Sequence, residues 1–279
     1  MNYRHAFHAG NFADVLKHLV LSRCIEHLKR KEKAFRVIDT HAGIGQYDLS
    51  SDEAQRTGEW RNGIGRLMGQ PIAPDAEALA APFLQVVRGL NGNDTLETYP
   101  GSPMVTRSLL RPQDRLTAIE LHPEDGQTLK ARFAGDWQVR IIALDGWLAL
   151  GAHVPPKEKR GLVLVDPPFE KPDEFDRMLE GLSKAVKRWR GGTFALWYPI
   201  KDRGAVHRFR QGLRDGAFGE GVDISLFIRE PSGPARLDGC GMAVVNPPYT
   251  LEAEMALILP EVGRLLSEDG TARVSIETF

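Results

Sequence analysis

From Asn11 to about Arg30, the apolar residues Val15, Leu16, Leu19, Val20, Ile25 and Leu28 recur at the spacing of one helix face, and Asn11 stands where an N-cap belongs. The pattern predicts an amphipathic helix. The next apolar run, 35–38, breaks off at Asp39 and a small-residue turn, Thr40-His41-Ala42-Gly43-Ile44-Gly45, as a strand feeding a glycine-rich loop does. Further strand candidates follow at 116–121, 139–144, 162–165, 193–198, 224–228 and 242–245. Several are continuously apolar rather than alternating, and helical stretches separate many of them. Strands buried on both faces read this way. The prediction is an α/β fold on a seven-stranded, mostly parallel sheet with helices on both sides.

One interval breaks the rhythm. Between Gly45 and Leu116 there are helix-like stretches at 64–68 and 76–90 but no clear strand, and about 70 residues is far too long for a βα connection. Residues 46–110 therefore read as a helical insertion into a main domain made of 1–45 and 111–279. The insertion ends in Tyr99-Pro100-Gly101-Ser102-Pro103, a rigid turn returning the chain to the sheet, and the Pro/Gly-rich stretch 230–241 reads as a loop joining the last two strands.

Composition adds little beyond a soluble class: 42% of the 279 residues are hydrophobic and 26% charged. No apolar run approaches the roughly 18 residues of a membrane span, and no signal peptide precedes the first helix, so a cytoplasmic protein is expected. Cys24 and Cys240 form no metal-ligand spacing, which predicts two unremarkable thiols and no metal site. Charge is more informative. The total, 36 Lys+Arg against 37 Asp+Glu, is balanced, but residues 1–36 hold eight basic and three acidic groups, and 184–214 hold nine basic groups against Asp202 alone. Residues 246–279 hold two basic and six acidic groups. If the basic segments meet in space they make a phosphate-tracking surface, with Arg4 and Lys17 as candidate nucleic-acid contacts.

Ligands of open α/β sheets bind beyond the carboxyl ends of the strands, so the polar residues that end each apolar run are the candidates. They are Asp39 with its glycine loop, Glu120, Asp145-Gly146 and Asp166-Pro167-Pro168-Phe169. For an adenosine-bearing cofactor, Gly43 and Gly45 allow close backbone approach, Glu120 can accept from a ribose diol, and Asp145 from an adenine amine. The spacing departs from a nicotinamide site, because Asp48 stands where the third glycine belongs. In the last turn two prolines stop the ladder and present an acid and an aromatic at the strand tip. The Asp166 carboxylate and Pro167 carbonyl can each take one N–H of an adenine amine, with Phe169 stacked on the base. A second copy, Asn246-Pro247-Pro248-Tyr249, has the same local pattern. Order favours Asp166, on the strand beside the cofactor loop.

With these residues in place the chain resembles the class I, Rossmann-like S-adenosylmethionine-dependent methyltransferases of the adenine-N6 type. More closely it resembles the bacterial 23S ribosomal RNA (adenine-N6) methyltransferase family designated large-subunit methyltransferase J. The likeness rests on Tyr3-Arg4-His5, Phe7-His8-Ala9-Gly10-Asn11, Ala13-Asp14-Val15-Leu16-Lys17-His18, Asp39-Thr40-His41-Ala42-Gly43 and Arg56-Thr57-Gly58-Glu59. It continues through Tyr99-Pro100-Gly101-Ser102-Pro103, Glu120-Leu121-His122-Pro123, Asp145-Gly146, Asp166-Pro167-Pro168 and Ala195-Leu196-Trp197-Tyr198-Pro199. The resemblance implies cofactor contact by His18, His41, Ser102, Glu120, Asp145, Gly146 and Asp166, a catalytic Asp166, and Tyr3 on a 23S RNA substrate. Phe169 departs from the tyrosine of many relatives, keeping the stacking and losing a hydroxyl. A monomer is expected. The same turn would serve a DNA adenine-N6 or cytosine-N4 methyltransferase, and a non-catalytic RNA-binding scaffold could retain the fold.

Overall fold

The computed structural model describes residues 4–92, 95–230, 233 and 236–279. Its strands are β1 (Arg36–Asp39), β2 (Gln46–Asp48), β3 (Thr98–Pro100), β4 (Arg115–Ile119), β5 (Val139–Ile142), β6 (Gly161–Val165), β7 (Thr193–Ile200), β8 (Gly221–Phe227), β9 (Gly239–Val245) and β10 (Arg273–Thr278). Its helices are α1 (Phe12–Lys29), α2 (Asp52–Thr57), α3 (Glu59–Asn62), α4 (Ile64–Gly69), α5 (Pro74–Gly89), α6 (Ser102–Leu109), α7 (Pro123–Arg132), α8 (Gly146–Ala152), α9 (Glu174–Arg188), α10 (Arg203–Asp215) and α11 (Leu251–Leu266). A short 3₁₀ turn at His5–Phe7 precedes α1.

The main sheet has the order β10-β8-β9-β7-β6-β1-β4-β5. Strands β5, β4, β1, β6 and β7 are parallel, and β9, β8 and β10 extend the sheet by antiparallel pairing. The chain runs outward from β1 through β4 to β5, then returns to set β6 on the other side of β1. That reversal opens a crevice above the β1 and β6 tips.

The sheet has eight strands where seven were expected. The addition is β10, where Val274 and Ile276 alternate with Arg273, Ser275 and Glu277 on an edge strand too polar to stand out. Residues 46–110 also contain the strands that the sequence did not reveal: β2 pairs with β3, Tyr47 opposite Tyr99, three residues each. The Pro-Gly-Ser-Pro turn returns the chain through α6, with Ser102 in its first turn, before β4 begins.

Successive residues of the parallel strands face opposite cores. Val37, Leu116, Leu162 and Leu164 join α1, α5, α6 and α11 in one core, while Ile38, Ile119, Val163 and Val165 join α8, α9 and α10 in the other. The helices of 46–110 contribute Ala54, Ile64, Leu67, Phe83, Leu84 and Val87 to the first core.

Helix α1 is not amphipathic in place. Fifteen of its eighteen residues are buried, because α5, α6 and α11 surround the side turned away from the sheet. Its buried polar residues consequently need partners. Asn11 accepts from the amides of Ala13 and Asp14, a cap worth about 1 kcal/mol. Arg23 donates to Glu254 at 2.8 Å and to the Leu79 carbonyl at 3.0 Å. Cys24 and Cys240 are buried and free, and burial pushes the Cys24 thiol up to about 12. Among the described residues no helix is long and apolar enough to cross a membrane.

The α3–α4 junction sits directly on the start of α1, with the Ile64 amide on the Gly10 carbonyl at 2.8 Å. A Cβ on Gly63 would lie 2.1 Å from that carbonyl oxygen. Gly63→Ala is expected to destabilise by about 1–3 kcal/mol, as overpacking against backbone does. Urea unfolding checks this through a lowered midpoint at constant slope.

Candidate active site

The loops after β1, β4, β5 and β6 line one cleft of about 1540 Å³. Single small-ligand pockets span about 300–1000 Å³, so this cleft has room for two ligands. Gly43 takes the left-handed φ of 59°, and its amide donates to Glu120 Oε2 at 2.8 Å, while the His122 amide donates to Oε1 at 2.7 Å. These bonds aim the carboxylate and leave it further acceptor capacity. Burial raises the Glu120 pKa against the opposing pull of the two amides. Asp145 caps α8, taking the Trp147 amide on Oδ1 at 2.9 Å, with Arg177 3.6 Å from Oδ2. Gly146 is required by close approach, since a Cβ would lie 2.2 Å from the Thr40 carbonyl oxygen and 2.8 Å from the His41 ring.

Of the histidines that line this cleft, two are held neutral. Burial lowers His41 to about 4 and His18, helped by the Lys17 charge, to about 3. His18 Nδ1 meets the Tyr99 hydroxyl at 2.8 Å, whereas Nε2 is buried without a hydrogen-bond partner among the described residues. Native proteins rarely leave such an atom unmatched. Ser102 donates to Asp39 Oδ2 at 2.6 Å, and burial raises Asp39 to about 7.

Asp166 ends β6 with an unanticipated partner. Lys17 Nζ lies 2.6 Å from Asp166 Oδ2 and 2.7 Å from Asp14 Oδ1, and Asp14 Oδ2 is 2.9 Å from His5 Nε2. Burial alone would lower the Lys17 pKa, but the two carboxylates outweigh it and raise it well above the usual value. This corrects the expectation of Lys17 as an RNA contact. Its ammonium is buried and committed to two carboxylates, so a phosphate cannot take it without breaking a buried pair. Arg4 is exposed on the rim, 3.3 Å from Glu124, and Tyr3 lies outside the described residues.

Beyond Asp166, Pro167 is buried and Phe169 adopts φ 51°, a conformation that strains an aromatic residue by about 1–3 kcal/mol. Phe169 meets the edges of Phe175 at 5.0 Å and Trp197 at 5.8 Å, and its turn lines the same cleft as Gly43, Glu120 and Asp145. Sequence reasoning did not single out Trp147 and Arg177, which also line the cleft, and no spacing rule ties them to the strand tips.

The second tetrapeptide is elsewhere. Asn246 Nδ2 donates to the Arg190 and Gly192 carbonyls at 2.7 and 2.9 Å, fastening the start of β7, and Tyr249 is 81% exposed beside Arg30. It does not line the cleft. The two basic segments meet there only in part: Arg4 and the committed Lys17 come from the first, Lys201 and Arg208 from the second.

The winding of the sheet, with its crevice at the β1/β6 reversal, is that of the class I methyltransferases. Residues 32–278 match the family described as "Ribosomal RNA large subunit methyltransferase D, RlmJ", and the chain belongs to that family. It is 42% identical over 278 residues to ribosomal RNA large subunit methyltransferase J of Haemophilus influenzae, spanning 99% of this chain and 98% of that one. Identity to the Escherichia coli protein of the same name is 41% over 276 residues, with the same coverage. The crystal structure of protein LPL1258 from Legionella pneumophila superposes with a TM-score of 0.88 at 32% identity, covering 97% of this chain and 98% of that chain.

Asp39 gives a pH test of this site. Its folded pKa of about 7 lies above its ordinary value of 3.8, so its contribution to stability is full below 3.8 and is lost as pH rises through 7. Asp39→Asn is expected to raise the unfolding midpoint relative to the parent more at pH 8 than at pH 5, read by thermal melts at both.

Proposed function

We propose that this protein transfers a methyl group from S-adenosylmethionine to N6 of an adenine in 23S ribosomal RNA. The observation that carries the reading is the Asp166-Pro167-Pro168-Phe169 turn opening into the cleft that Gly43, Glu120 and Asp145 also line. The names of the two relatives support a large-subunit RNA substrate.

The donor set fits the cofactor. Glu120 would hold the ribose hydroxyls and Asp145 the adenine amine, with Gly43 and Gly146 allowing close approach and His18, His41 and Ser102 completing the wall. The unpartnered His18 Nε2 supports a ligand on that side. When bound, S-adenosylmethionine supplies an electrophilic sulfonium methyl and leaves as S-adenosylhomocysteine.

The target adenine leaves its stack, at a few kcal/mol, and packs against Phe169 and Trp197. Asp166 Oδ2 is engaged by Lys17, and no hydrogen bond to Oδ1 is formed among the described residues. Oδ1 and the Pro167 carbonyl therefore accept the two N6 hydrogens and turn the nitrogen lone pair outward. Asp166 Oδ1 then stands as first acceptor of the proton that the methylated amine sheds. Positioning carries much of the rate, which is why the carboxylate is pinned on one side. Tyr3 and Arg4 are assigned to the RNA. The protein is assigned as a monomer acting in the cytoplasm, where ribosomal RNA is met. Residues 46–110 form the helical insertion of this enzyme.

Asp166→Asn keeps a polar neighbour for Lys17 and is expected to slow single-turnover transfer by at least about 10²-fold with the fold retained by circular dichroism. Turnover within tenfold of the parent would overturn the mechanism. Methyl incorporation into deproteinised 23S RNA against duplex DNA, with mass spectrometry of the product nucleoside, tests the substrate; preferential labelling of DNA would reverse the assignment.

A further inference from the structure

The exposed cations of the cleft are gathered mostly on one side of it. On its β1–β4–β5 side the lining residues include Asp48, Glu53, Glu120, Glu124, Asp125 and Asp145. On its β6–β7 side Lys171, Lys201, Arg208 and Arg236 stand among the acids Asp166, Glu170, Glu174 and Asp202. The first side suits hydroxyls, amines and a cationic sulfonium and repels phosphate; on the second, exposed cations can attract it. Phe169, Trp197 and Pro199 lie on the second side, where the target base is placed.

Lys171, next to the Pro-Pro turn, and three further cations near that side are uncommitted. Lys201, Arg203 and Arg208 are exposed, and none forms an ion pair among the described residues, whereas Arg236 is paired with Glu268 at 2.9 Å. Asp202 between them is occupied in accepting the Gly204 and Ala205 amides at 2.8 and 3.1 Å. Lys201 also lines a second, smaller cleft of about 250 Å³ with Arg203. A continuous path thus leads from the aromatic base site past Pro199 to Lys201 and on to Arg203, with Arg208 alongside. Exposed cationic side chains without ion-pair partners gain most from a phosphodiester that supplies the missing charge.

We propose that Lys201, Arg203 and Arg208 bind the phosphates of the RNA strand that flanks the extruded adenine, and so position the substrate without touching the cofactor. The assignment rests on the RNA methyltransferase reading above and adds the direction in which the strand leaves the site. The rest of the 184–214 basic segment has no part in it. Lys184, Lys187 and Arg190 lie on the last turns of α9 and just beyond, near the Asn246 fastening at the opposite end of the sheet.

The test compares the triple variant Lys201→Gln, Arg203→Gln, Arg208→Gln with a control of equal charge change, Lys184→Gln, Lys187→Gln, Arg190→Gln. Binding to a 23S RNA transcript is measured across salt, S-adenosylhomocysteine binding by calorimetry, and transfer under steady state. The first variant is expected to flatten the slope of log K against log salt by about two to three units, near 0.7–0.9 per lost contact. Its KM for RNA should rise at least about tenfold with kcat within about threefold, and its S-adenosylhomocysteine affinity should match the parent. The control should keep the parent slope. An unchanged slope and KM in the first variant, an equal flattening in the control, or loss of S-adenosylhomocysteine binding would each overturn the proposal. Failure of the parent protein itself to label any RNA would instead overturn the methyltransferase reading.

Discussion

Everything at the β6 tip depends on one buried ammonium. Lys17 sits on α1 and Asp166 is 149 residues away, yet their atoms meet at 2.6 Å. The Lys17 side chain is only 6% exposed at the cleft wall and is held between two carboxylates, and it fixes one oxygen of Asp166. Removing one partner of such a pair leaves an uncompensated charge, at about 3–5 kcal/mol. Asp14 shares the ammonium and also accepts the Gly10 amide at 2.9 Å, so the same charges shape the entry into α1. Carboxylate, ammonium, carboxylate and imidazole alternate in one row from Asp166 to His5. Burial would lift the Asp14 pKa, but His5 and Lys17 hold it well below the usual value.

This constraint explains why the site is rigid on one side and open on the other. Glu120 is fastened by the Gly43 and His122 amides and Asp39 by the Ser102 hydroxyl, and His18 and His41 are kept neutral chiefly by burial. The β7–α10 side is the reverse, with exposed cations and few commitments. A cleft in which one half is prebuilt and the other awaits a polyanion suits an enzyme with a small invariant ligand and a large flexible one.

Much of this was legible in the chain. Continuous apolar runs marked β1, β6 and β7, and the polar residue ending each run marked Asp39, Glu120, Asp145 and Asp166, because a buried parallel strand leaves its first polar side chain at the ligand end. What failed to show has physical reasons. The three-residue strands β2 and β3 are too short to display a period, and β10 carries charges because it is an edge. Helix α1 has polar residues spaced as if for solvent, and only the tertiary cover of α5, α6 and α11 buries them. Lys17 looked like a cation seeking phosphate because Asp166 lies 149 residues away, and the i,i+3 spacing to Asp14 alone reads as an ordinary surface pair on a helix.

The paired tetrapeptides Asp166-Pro167-Pro168-Phe169 and Asn246-Pro247-Pro248-Tyr249 differ where letters do not reveal it. In the first the left-handed residue is the aromatic, in the second it is the opening asparagine, with φ 51° and 50°. The twist therefore comes after the prolines in one and before them in the other. The aromatic ring is folded back toward a hollow in the first and thrown outward in the second. Two near-synonymous strings have become a tool and a rivet, and transplanting either string to the other's address would carry the spelling without the shape.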